Sequence, residues 1–94
     1  MDFDWHPAKA EANLRKHGIS FEDAVRVFVD AERIETYDGR EPYGEDRWKT
    51  IGFAAPALLA VVYTVRDQAG EVIRLISARK ADKNEHAQYR EIQT

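Results

Sequence analysis

Apolar positions along the chain recur with two different periods, dividing it into a helical start, a strand-rich middle and a helical end. Phe3 and Trp5 flank Asp4, an alternation that fits a short strand or an anchoring arm. Pro7 suits a first helical turn, and Ala8 to His17 is rich in helix formers before Gly18 supplies a stop. The apolar stripe of this first helix is thin, so it should lie on the surface. Ser20 reads as the next N-cap, with Asp23 three residues on. Phe21, Ala24, Val25 and Phe28 then keep helical spacing and predict a second helix with a buried face, fading at Asp30-Ala31.

From Arg33 the period falls to two. Arg33 to Tyr37 predicts a strand, followed by a polar loop from Asp38 to Glu45. Asp46 to Ala54 predicts a second strand, with Arg47, Lys49, Ile51 and Phe53 on one face and Trp48, Thr50 and Gly52 on the other. Ala55-Pro56 turns the chain into Leu58–Arg66, the most hydrophobic strand and the one expected at the centre of the sheet. Asp67-Gln68-Ala69-Gly70 reads as a tight connection to a fourth strand, Val72–Lys80. Asp82, with Glu85 three residues later, forms a capping-box signature that starts a last helix carrying His86, Tyr89 and Arg90. Three short connections in succession favour an antiparallel meander. The expected fold is α+β: two N-terminal helices, a four-stranded mainly antiparallel sheet with helices on one face, and a C-terminal helix.

The fourth strand holds unusual chemistry. Arg74, Arg79 and Lys80 are threaded through an apolar, β-branched run. Strict alternation sets Ile73, Leu75, Ser77 and Arg79 on one side and Val72, Arg74, Ile76, Ala78 and Lys80 on the other. Arg74 and Arg79 therefore face opposite ways unless a bulge near Ser77-Ala78 re-aims one of them.

Composition narrows the classes. Ninety-four residues make one domain, and 44% hydrophobic with 33% charged residues is ordinary for a globular protein. The longest apolar run, Phe53 to Val65, is broken by Pro56, so no membrane span is expected. The acidic start MDFDWHPAK lacks signal-peptide order, which points to the cytoplasm. Without cysteine there is no disulfide, thiol nucleophile or thiolate metal site. His6, His17 and His86 have no metal-ligand spacing, so neither a metal nor a cofactor is expected. Net charge is −3, yet it is segregated: residues 1–46 hold six Lys/Arg against twelve Asp/Glu, whereas 47–94 hold eight against five. A locally basic face can still meet phosphates.

No phosphate loop, nucleophile elbow or zinc-protease helix motif is present. What remains are cations and aromatics toward the strand ends, with Lys16 and His17 closing the first helix. Cleaving RNA without a metal needs a base at the 2′-hydroxyl, cations for the phosphorane oxygens and an acid for the 5′-oxygen. Arginines supply the cations and aromatic rings stack splayed bases. Each residue also has a plainer role. Lys16 and His17 complement a helix C-terminus, Trp48 and Tyr63 pack as strand aromatics, Arg74 pairs with a nearby acid, and Tyr89 anchors the last helix.

The blocks FDWHPAKAEANLRKHGISFEDAVRVF, EDRWKTIGF, VVYTVRD and IRLISARKADKNEHAQY closely resemble the BrnT family of type II toxin–antitoxin systems, and they cover most of the chain. The KHG-x-x-F-x-D-A and ISARKA blocks are specific in combination. The resemblance implies a RelE-like fold and a metal-independent endoribonuclease that cleaves RNA and inhibits translation. It also implies neutralisation by a BrnA-like ribbon-helix-helix antitoxin, through which alone the complex would meet DNA. Matched residue by residue, it points to Lys16, His17, Arg47, Trp48, Tyr63, Arg66, Arg74 and Arg79, of which we read His17 as the catalytic base or acid and Arg66 and Arg79 as catalytic cations at the phosphate. Lys16, Arg47, Trp48, Tyr63, Arg74, Lys80 and Tyr89 would bind RNA. The competing expectation is a degenerate, non-catalytic module that holds an antitoxin for promoter autoregulation.

Overall fold

The computed structural model describes residues 1–40, 44–66 and 72–92. The expected connection at 67–70 and part of the loop after Asp38 lie outside them. The described chain runs β1 (Asp2–Asp4), α1 (Pro7–His17), α2 (Phe21–Ala24), a 3-10 turn (Val25–Val29), β2 (Ile34–Arg40), β3 (Asp46–Ala54), β4 (Ala57–Val65), β5 (Val72–Lys80) and α3 (Lys83–Ile92). Its sheet has the order β1-β5-β4-β3-β2. β2 to β5 form the expected antiparallel meander, and β4 is interior.

Three expectations need correction. The sheet has five strands, because Asp2–Asp4 is a strand lying parallel to β5. All the elements from α1 through β4 lie between the two in the chain, so no tight turn forces them to be antiparallel. The second helix is a single α turn that tightens into 3-10, since Val25, Val27 and Val29 crowd the preceding turn. Helices also lie on both faces. Phe21, Ala24 and Val27 pack with Leu59, Val61, Tyr63, Leu75 and Ala78 on one side, whereas Ala81 and Tyr89 meet Ile51, Leu58 and Ala60 on the other. The bulge that the sequence allowed near Ser77-Ala78 is present in β5. Val62 pairs with Ser77 but Tyr63 with Leu75, so Ile76 is an extra residue. This bulge turns Ala78 into the core beside Leu75 and sends Arg79 to the side of Arg74.

Local chemistry explains the docking of α1. Gly18 closes it at φ 72°, a left-handed conformation that glycine adopts without steric cost. Buried Asn13 then uses its amide as a substitute strand. Its Nδ2 donates to the Ala78 carbonyl at 2.8 Å and the Ile19 carbonyl at 3.0 Å, and its Oδ1 accepts from the Ala78 N–H at 3.0 Å. β1 pairs only with Val72–Arg74, so Asn13 satisfies backbone groups further along that β5 edge. Asn13 thus serves packing, which separates it from its helix neighbours Lys9, Lys16 and His17.

Candidate functional site

Cross-strand pairing lays out the face that α1 and α2 leave open. Thr64 pairs with Arg74, Val62 with Ser77 and Lys49, and Ala60 with Arg79 and Ile51. Alternation along β3 puts Arg47 on the same side as Lys49. Arg47, Lys49, Arg74 and Arg79 therefore share one face, separated mainly by small or hydroxyl side chains. The Ile76 bulge recruits Arg79 to it. α3 covers one end of this face through Tyr89, which packs with Ile51, Leu58 and Ala60.

At that end sits Glu85, only 2% exposed. Arg79 donates to both of its oxygens, Nη1 to Oε1 at 2.7 Å and Nη2 to Oε2 at 2.9 Å, while Lys49 Nζ donates to Oε2 at 2.8 Å. Glu85 Oε1 also accepts the Asp82 N–H and the Glu85 N–H donates to Asp82 Oδ1, both at 2.9 Å, completing the capping box. Bonds from the Arg79 guanidinium outweigh the opposing effect of burial and, with Lys49, hold the Glu85 carboxyl at about 2. The Glu85 bond in turn raises Arg79 above its ordinary value. Glu85 ionises normally near 4.5, so its stabilising contribution is complete above that pH and drains away as pH falls toward 2. Acid titration of stability should show a loss on the order of 3 kcal/mol across that window, and Glu85→Gln should flatten it.

Arg79 has five N–H donors, of which two bind Glu85 and a third reaches the Lys80 carbonyl at 3.3 Å. Two donors have no partner among the described residues, on a guanidinium whose orientation is fixed. Lys49, Arg79 and Glu85 together carry one net positive charge.

Beside this face, His17 and Lys16 line a cavity of about 270 Å³ with Lys9, Asn13, Ile76 and Ser77. Ser77 is two residues from Arg79 on β5, about 7 Å along a strand. The end of α1 and the cationic end of β5 are thus neighbours. Arg66 lies elsewhere. Ala60 faces Arg79, and Arg66 follows six residues further along the chain, roughly 20 Å away, where its Nη2 is 3.5 Å from Glu45. Arg66 and Arg79 therefore do not converge on one phosphate, contrary to their joint assignment as catalytic.

Trp48 and Tyr63 point to the packed side of the sheet. Tyr63 is 4% exposed and its hydroxyl donates to Glu35; burial, reinforced by that bond, pushes its ionisation up. Trp48 is half-buried and meets Tyr37 edge-on, with centroids 5.2 Å apart. Neither ring shares a face with Arg79, because strand parity placed both in the aromatic core. Arg74 stands on the open face, with its Nη1 3.4 Å from Asp4. Tyr89 donates to Asp30 Oδ2 at 2.6 Å, tying α3 to the start of the sheet. Burial pushes the Asp30 carboxyl up, but this bond and the N–H groups of Phe53 and Glu32 hold it below its usual range. Lys80 is exposed at the end of β5.

Sequence reasoning missed Lys49 and Glu85 as site residues. Both left signals: Lys49 shares strand parity with Arg47, and Glu85 is the inward-reaching member of a capping box. Among the described residues, no three His, Asp or Glu side chains cluster as a metal site, and no helix is long and apolar enough to cross a membrane.

The fold is thus a small α+β domain whose sheet packs α1 and α2 on one face and presents arginine and lysine along the part of the other that α3 leaves open. The family model described as ribonuclease toxin, BrnT, of type II toxin–antitoxin systems matches residues 5–85, and the chain belongs to that family. It is similar to the ribonuclease toxin BrnT of Brucella abortus, solved at 1.1 Å resolution. The TM-score is 0.65 at 25% identity, covering 88% of this chain and 99% of that one. No curated protein matches the sequence.

Proposed function

We propose that this chain is a metal-independent endoribonuclease toxin that cleaves RNA and thereby inhibits translation, held in check by a BrnA-like ribbon-helix-helix antitoxin. The observation that carries the reading is the Arg79 guanidinium, aimed by Glu85 and flanked by Lys49, with two donors left for a phosphate. In this reaction the 2′-oxygen bonds to phosphorus while the bond to O5′ breaks. His17 either takes the 2′-hydroxyl proton or protonates the leaving 5′-oxygen, and water carries the other proton. Arg79 and Lys49 stabilise charge on the non-bridging oxygens, and Arg47, Arg74 and Lys16 attract the flanking backbone. Arg66 keeps at most an outlying contact with RNA.

The second reading, a non-catalytic antitoxin-binding module, is favoured by a different observation: Arg66, Arg74 and Arg79 each have a carboxylate neighbour within the chain. One assay separates them. Purified protein incubated with RNA in EDTA should yield fragments ending in a cyclic phosphate and beginning with a 5′-hydroxyl. His17→Ala should slow the reaction about a hundredfold or more. Intact RNA with the folded wild type, both with and without ribosomes, would leave only the binding module.

A further inference from the structure

A second cavity, about 450 Å³, opens between α3 and the β3–β4 hairpin. Pro56 and Leu58 give it an apolar base, with the rings of Phe53 and Tyr89 alongside. Its remaining polar lining is basic or neutral: Lys80, His86 and Arg90. Phe53 is 48% exposed, a large apolar cost for a side chain that only packs.

The charge balance here differs from that of the neighbouring face. Arg79, Arg74, Arg66 and Lys49 are all ion-paired within the chain. Lys80 and Arg90 are in no ion pair among the described residues, and no acid is among the described lining residues. An anionic occupant is therefore the complement of this groove. The groove also continues from the Arg79 site: Arg79 donates to the Lys80 carbonyl, and His86 directly follows Glu85 on α3.

We propose that this groove is a subsite for single-stranded RNA, receiving a nucleotide that flanks the phosphate held at Arg79. Phe53 stacks on the base, while Lys80 and Arg90 hold its phosphate. The assignment rests on the ribonuclease reading and extends it to a residue, Phe53, remote from the reacting atoms. A base is preferred to an acidic peptide because a planar aromatic beside two cations combines the two elements of single-strand binding, and the strand is already anchored next door.

The test uses a short, fluorescein-labelled 2′-O-methyl RNA, which keeps the phosphates and bases but blocks the attacking hydroxyl. Phe53→Ala should raise its Kd about tenfold with no change in salt slope. The double change Lys80→Glu with Arg90→Glu should make the negative slope of log K against log salt shallower by roughly 0.7 for each lost contact. Thermal melts verify that both variants fold, as expected for exposed side chains. Unaltered affinity in Phe53→Ala, or an unaltered slope in the charge variant, overturns the proposal. So does loss of binding to an acidic amphipathic peptide with RNA binding intact, which would make the groove a protein dock. Cleavage of unmodified RNA is measured in parallel. A wild type that cleaves but does not bind the probe overturns the subsite alone; one that binds through Phe53 but never cleaves overturns the ribonuclease reading alone.

Discussion

Arg79→Ala is expected to lower the rate of the proposed RNA cleavage by about 10²–10³-fold while the protein stays folded. The magnitude follows from losing a fixed donor to charge that develops only as phosphorus becomes five-coordinate. The local balance also changes, because Lys49 and Glu85 alone sum to zero and no longer favour a phosphate. Folding is protected because Glu85 keeps Lys49 and the Asp82 N–H as partners, so its carboxylate is not orphaned. Arg79→Lys should recover little of the rate, since an ammonium cannot grip both Glu85 oxygens and address the substrate as a planar fork does. Single-turnover cleavage paired with circular dichroism checks both points. Undiminished cleavage by Arg79→Ala would remove this guanidinium from the mechanism.

Gly52→Val should cost about 3 kcal/mol or more, and lower Tm by roughly 15 °C, without touching the cationic face. A β-carbon at Gly52 would lie 3.0 Å from Val27 Cβ, 3.1 Å from the Val27 carbonyl oxygen and 3.2 Å from Arg33 Cβ. One of these is backbone, so the 3-10 turn itself would have to lift from β3. For a domain of this size, total stability is on the order of 5–14 kcal/mol, and such a loss is a large part of it. Thermal denaturation of Gly52→Ala and Gly52→Val should show a graded decline; equal melting points would mean that the turn moves freely.

Much of the local architecture was legible. The Asp82–Glu85 capping box forms as its spacing implied, and β3 presents Arg47 and Lys49 opposite Trp48, Thr50 and Gly52 as alternation required. The possibility of a bulge was also readable, because strict alternation would have separated Arg74 from Arg79. It falls at Ile76, next to the Ser77-Ala78 pair where it was expected, but whether it forms at all is decided by what the partner strand pairs with. Asn13 looked like one more polar residue on a surface helix until Ala78, 65 positions away, came beside it. Arg66 and Arg79 resembled each other as strand-end arginines, yet strand length and direction set them far apart.

The amino-acid sequence alone determined the helix ends, the strand periods, the supply of cations and the family, because each is written in residues close together or in an ordered set of motifs. Only the tertiary structure decided which cations share a face, that Trp48 and Tyr63 turn inward, and that Glu85 aims Arg79. Those outcomes depend on register and packing between distant segments, and local periodicity carries no measure of either.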